Sequence, residues 1–98
     1  VGGVTLLTGD DLKVATVVLS TSLTQLASVG GPNYQLGEIL SVTRQTESGI
    51  KYVYQVELIS QGKDTKPCNV KIWSQPWQQD GYEVTIKCID GKVVEKHN

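Results

Sequence analysis

"CNVKIWSQPWQQDGYEVTIKC", residues 68 to 88, holds two alternating segments that can be set against each other. Val70 and Ile72 share a face with Cys68, and Tyr82, Val84 and Ile86 share one with Cys88, the period-2 pattern of half-buried strands. One antiparallel register places Cys68 opposite Cys88, Val70 opposite Ile86, Ile72 opposite Val84 and Ser74 opposite Tyr82, so that core positions meet core positions. The rival is a tight turn on Asp80-Gly81, a two-residue hairpin signal. It sets Trp73 opposite Cys88 and Val70 opposite Gly91, pairing buried positions with exposed ones, and is rejected because a register slip moves side chains to the wrong face.

The surviving register makes Cys68 and Cys88 a directly facing pair, with Cα atoms expected roughly 4.5 to 5.5 Å apart, within disulfide reach. Such a bond would contribute roughly 3 kcal/mol in the chain-entropy model and implies an oxidising compartment, which favours secretion over the cytosol. The alternative is two reduced cysteines packed as small hydrophobes. The same register leaves residues 75 to 81 as a loop, longer than the ~2 to 5 residues hairpins ordinarily use. Pro76 and Trp77 lie inside it. Trp77 either folds back over the end of the core or is held out by a proline-stiffened loop as an anchor for another protein. Trp73, on the opposite strand face from Ile72, is expected to be structural or half-exposed and at most a support for that loop.

Working toward the N-terminus, Ile50, Tyr52, Tyr54, Val56 and Leu58 alternate with more polar positions, predicting a strand with its even-numbered face buried. Glu38 to Gln45, carrying Ile39, Leu40 and Val42, is its expected hairpin partner, joined through "QTESG", residues 45 to 49. Consecutive antiparallel strands would bring this tip and the 75–81 loop out at one sheet edge. Before Asn33 the period changes. Leu12, Ala15, Leu19, Leu23 and Leu26 recur at helical steps, predicting a helix from about Asp10 to Val29. Thr8 with Asp11 approximates a capping box, Asp10 and Asp11 suit the positive end of the dipole, and Gly30-Gly31-Pro32 supplies the stop.

Bulk properties bound the function. The chain has 98 residues, 39% of them apolar, which suits one domain over 1–98. Nine basic and ten acidic residues give a net charge of −1, and the basic ones are scattered, so neither nucleic acid nor a membrane surface is an expected partner. Fully apolar runs such as Val17 to Leu19 fall far short of the ~20 residues of a membrane span. The chain starts at Val1 without a charged-then-apolar leader, so any signal peptide is expected to have been removed already or never to have been there. Two cysteines and a lone His97 leave no metal site, no cofactor and no nucleophile-base pair in prospect. Residues 89 to 98 suggest a flexible tail.

Taken together, "VGG" at 1–3, the long helix, "QTESG" at 45–49, "YQVEL" at 54–58 and the 68–88 stretch resemble the cystatins, inhibitors of papain-like cysteine proteases, and in particular secreted insect cystatins of the sarcocystatin type. The resemblance spans nearly the whole chain. It implies an α+β fold, a four- or five-stranded antiparallel sheet wrapped around one long helix. It also implies a wedge that enters the protease cleft: an N-terminal glycine (Gly2 or Gly3), a first hairpin tip (Gln45, Thr46, Glu47, Ser48 and Gly49) and a second loop with Pro76 and Trp77. Inhibition of cathepsin L- or B-type enzymes would be reversible and competitive, with no catalysis by the inhibitor. A monomer is expected, and strand exchange through the 45–49 tip would give a domain-swapped dimer. Glu47 stands where the family prefers valine, and only Val1 precedes the glycines; both also suit a non-inhibitory binding protein of the same fold. Val29 to Asn33 does not match the Ser-Asn-Asp loop by which some family members inhibit legumain.

Overall fold

The computed structural model describes residues 3–46, 49–60, 64–74, 82–91 and 93–96. In chain order they form β1 (Val4–Leu6), α1 (Gly9–Ser28), β2 (Gln35–Thr46), β3 (Ile50–Ile59), β4 (Thr65–Ser74), β5 (Tyr82–Cys88) and β6 (Val93–Lys96). All six strands make one antiparallel sheet in the order β1-β2-β3-β4-β5-β6, and the helix covers one face. This is the expected α+β cystatin-like arrangement with more strands than the four or five anticipated.

The helix forms where its periodicity places it. Ala15, Leu19, Leu23 and Leu26 are buried and Leu12 is packed partly buried against the same core. The start differs in detail. Thr8 is the N-cap residue, in extended conformation, but its side chain makes no capping hydrogen bond. Asp11, too short to complete the box as glutamate does, instead meets the Arg44 guanidinium at 3.9 Å. At the other end Gly30 adopts φ +88, the Gly31 amide donates to the Leu26 carbonyl at 2.9 Å and the Gly30 amide to Ala27 at 3.3 Å. These two bonds and the left-handed glycine define a Schellman stop.

Against the helix lies the even-numbered face of β3 and β4: Tyr52, Tyr54, Val56, Leu58, Val70 and Ile72 are all buried, joined by Val84 and Ile86 of β5. Burying each such aliphatic side chain removes apolar area from water at about 25 cal/mol per Å². The Tyr54 hydroxyl, carried into this interior, donates to the Ala15 carbonyl oxygen at 2.7 Å. One member of the predicted buried set, Ile50, is exposed instead, and so is Leu40 of its expected partner strand. Leu40 is 59% exposed, because register shifts between Leu36 and Ile39 and between Ile39 and Ser41 interrupt the alternation of β2; such bulges also bend a strand, here one that wraps a helix. Ile50 is 39% exposed, at the end of its strand.

The register of residues 68 to 88 is the one expected: Cys68 faces Cys88, Val70 faces Ile86, Ile72 faces Val84 and Ser74 faces Tyr82. Cys68 and Cys88 are joined in a disulfide, their Cα atoms 4.0 Å apart, somewhat closer than anticipated. The tail prediction is corrected. Val93–Lys96 is a strand, with Val93 opposite Lys87 and Val94 opposite Ile86, and the turn that returns it to β5 has Gly91 at φ +84 with its amide donating to the Cys88 carbonyl at 3.0 Å. The turn signal was Asp90-Gly91, a dipeptide of the kind that makes tight reversals. Near this end Lys66 meets Asp90 at 2.9 Å and lies 5.1 Å from the Tyr34 ring centroid. No helix among the described residues is long and apolar enough to cross a membrane.

Candidate functional site

The register across the sheet brings the described ends of the predicted segments to one edge. Val4 faces Gln45, Gln45 faces Lys51, Lys51 faces Trp73 and Trp73 faces Glu83, so one row crosses five strands. The next row outward is Thr46, Ile50, Ser74 and Tyr82. Beyond it the chain leaves the sheet three times: through Gly3, which precedes Val4, through the β2–β3 connection and through the β4–β5 connection. A strand meander forces this, since alternate hairpin tips emerge at the same edge.

Of the site residues predicted from sequence, Gly3, Gln45, Thr46 and Gly49 are placed here. Gly2, Glu47, Ser48, Pro76 and Trp77 lie outside the described residues. Gly3 is exposed, and a Cβ added to it would meet nothing within 4 Å. No contact within the described chain therefore demands a glycine there. Gly49 has φ +123, a backbone conformation that side-chain-bearing residues rarely adopt. Thr46 is exposed, while Gln45 and Gly49 are half-buried. Thr46, Gly49, Ile50 and Ser74 together wall a concavity of about 230 Å³ between the two hairpins.

Just behind the edge, on the face away from the helix, Lys51 holds its Nζ 5.3 Å from the Trp73 ring centroid. Trp73 is half-buried, as expected, and its Nε1 is buried with no hydrogen-bond partner among the described residues. A cation over an indole is worth ~0.5 to 1 kcal/mol at a surface, enough to keep Lys51 lying along the ring. Sequence reading assigned Lys51 nothing. Its two-residue offset from Gly49 and the Lys51–Trp73 pairing were implicit in the β3–β4 register, which the sequence argument did not set.

The described part of the edge, Thr46, Gly49, Ile50 and Ser74, offers backbone, hydroxyls and aliphatic carbon. Among the described residues no three His, Cys, Asp or Glu side chains gather as a metal centre would require. What such an edge can do is press on a complementary cleft, with glycines allowing close backbone approach and apolar side chains losing water.

Comparison with known proteins agrees with this geometry. The chain is 45% identical over 91 residues to sarcocystatin-A of Sarcophaga peregrina, covering 92% of this chain and 75% of that one. It is 45% identical over 96 residues to a cystatin-like protein of Drosophila melanogaster, covering 95% and 75% of the two. A third relative, cathepsin F of the same fly, is 34% identical over 86 residues that cover 87% of this chain but 14% of the cathepsin. No protein-family model matches the chain. No solved structure matches it. With a helix-wrapped antiparallel sheet, a disulfide bracketing the β4–β5 hairpin and relatives of this similarity over most of both lengths, the chain belongs to the cystatin family.

Proposed function

We propose that this protein is a secreted, reversible, competitive inhibitor of papain-like cysteine proteases. The segment at Gly2 and Gly3, the tip Gln45 to Gly49 and the loop bearing Pro76 and Trp77 fill the active-site cleft together. The observation that carries the reading is the row Thr46–Ile50–Ser74–Tyr82, from which both hairpin connections depart, one strand away from Gly3. Three segments distant in sequence acquire a common front through strand pairing alone.

The mechanism is exclusion. An edge that occupies the cleft denies it to substrate, and no bond of the inhibitor needs to sit where the catalytic thiolate could attack. Paired strands hold the ends of both hairpin connections, and fixing those ends lowers the conformational entropy lost on docking. Trp77 supplies apolar area of the kind that dominates interfaces. The disulfide fits the secreted location, since such bonds persist in oxidising compartments. The similarity of this chain to a segment of a cathepsin fits a domain whose business is with that class of enzyme.

Titration of papain and of a cathepsin L-type protease tests the reading. Tight competitive inhibition at or below micromolar concentration is expected, with Trp77→Ala weakening it about tenfold or more. No inhibition of either protease at micromolar concentration sinks it.

One residue favours a second reading, a cystatin-fold binding protein that inhibits no protease. Glu47 occupies the tip where an aliphatic residue would be expected to enter the cleft. Burying a carboxylate there without a donor costs roughly 1 to 3 kcal/mol or more. Glu47→Val separates the two: it creates inhibition where there was none under the second reading, and strengthens inhibition that the unaltered chain already shows under the first.

A further inference from the structure

On the helix-covered face of the sheet, the β3 series Tyr52, Tyr54, Val56 and Leu58 is buried to 8% exposure or less, whereas Ile50, the next residue in the series, is 39% exposed. The helix explains the break. Its first turn meets the sheet where Asp11 reaches Arg44 at 3.9 Å, and Arg44 pairs with Tyr52, two rows short of Ile50. An aliphatic, β-branched residue thus continues the core pattern past the point where the core ends. Its free surface borders the concavity of about 230 Å³ walled by Thr46, Gly49, Ile50 and Ser74.

That recess has a definite chemistry. Among the described residues that wall it, Thr46, Gly49, Ile50 and Ser74, none carries a charge, and an ion entering it would lose water without finding a counter-charge on them. An apolar group loses water with profit to binding. Size agrees, for an apolar cavity of ~150 Å³ already admits benzene.

We propose that this recess is a socket for an apolar side chain projecting from the wall of the protease cleft, and that Ile50 is a specificity-determining contact of the inhibitor. The inference rests on the inhibitory reading and adds to it a residue outside the segments matched by motif, which stop at Gly49. Proteases with an aliphatic or aromatic residue at that point of the wall are held tightly. Those with a charged residue there are held weakly.

The test compares inhibition constants and dissociation rates of the full chain and its variants Ile50→Val, Ile50→Thr and Ile50→Asp against papain and a cathepsin L-type protease, with melting curves for each. Ile50→Val stays within about twofold, Ile50→Thr weakens inhibition by about fivefold, and Ile50→Asp by about tenfold or more, chiefly through faster dissociation. A folded Ile50→Asp chain that inhibits both enzymes as well as the unaltered protein overturns the socket while leaving the inhibitory reading intact. Should Ile50→Asp fail to fold, Ile50→Thr decides by the same comparison. An unaltered chain that inhibits neither enzyme removes both readings.

Discussion

The hydroxyl of Tyr54 donates to the carbonyl oxygen of Ala15 at 2.7 Å in the buried interior, so the middle of β3 is tied to the first half of the helix by a polar contact. Both residues are fully buried. As a helical carbonyl, Ala15 still has its intrahelical partner available, so the contact fixes position more than it satisfies a need of the helix. Tyr54→Phe removes the bond and leaves no buried hydroxyl behind. It should lower stability by about 1 kcal/mol, read as a shift in denaturant midpoint with unchanged slope, and leave protease inhibition unaltered.

Reduction of the Cys68–Cys88 disulfide, or its replacement by Cys68→Ala with Cys88→Ala, releases a loop of 20 residues in sequence. A loss of roughly 3 kcal/mol is expected from the chain-entropy model. Chemical denaturation with and without reductant measures it, and the same comparison on the double alanine variant should show no response to reductant.

Lys66 is held above its ordinary value of 10.5, first by the hydrogen bond to Asp90, with burial opposing and Tyr34 adding to the rise. A raised pKa in the folded state means that the folded protein binds the proton more tightly than the unfolded chain. The resulting stabilisation is fully present below 10.5 and disappears as pH climbs through the folded value. Asp90→Asn should therefore melt slightly lower than the unaltered protein at pH 7. The gap should close in strongly alkaline buffer, as thermal melts across pH would record.

Gly49 at φ +123 turns the chain from β2 into β3. Gly49→Ala forces a side-chain-bearing residue into that conformation at a cost of about 1 to 3 kcal/mol, or re-shapes the turn. Inhibition should weaken more than stability falls, since Gly49 also walls the recess beside Ile50; parallel inhibition assays and melts distinguish the two effects.

How much of this was legible beforehand depended on whether a signal was local. The pairing of Cys68 with Cys88 followed from alternation on both sides, which admits one register when a face must be buried. The helix stop was equally plain, because Gly30-Gly31-Pro32 leaves few conformations. Short edges were harder. Val4–Leu6 and Val93–Lys96 are too brief for a period to show, and they become strands only because β2 and β5 offer free edges. The bulges that expose Leu40 depend on pairing with β3 and leave no trace in the residue types. Ile50 was misread as buried because its strand pattern is correct while the reach of the helix over it is a tertiary property. The turning of both hairpins at one sheet edge was anticipated from consecutive strand order, whereas the recess needed the register of three strands at once.

The placement of the disulfide has one more consequence. Cys68 and Cys88 sit at the end of the β4–β5 ladder farthest from the Ser74–Tyr82 pair, where the chain departs into residues 75 to 81. An enzyme that attacked this connection would be cutting a closed ring. The two fragments would stay covalently joined and still paired strand to strand, so Ser74 and Tyr82 would remain opposite each other after the backbone had been nicked.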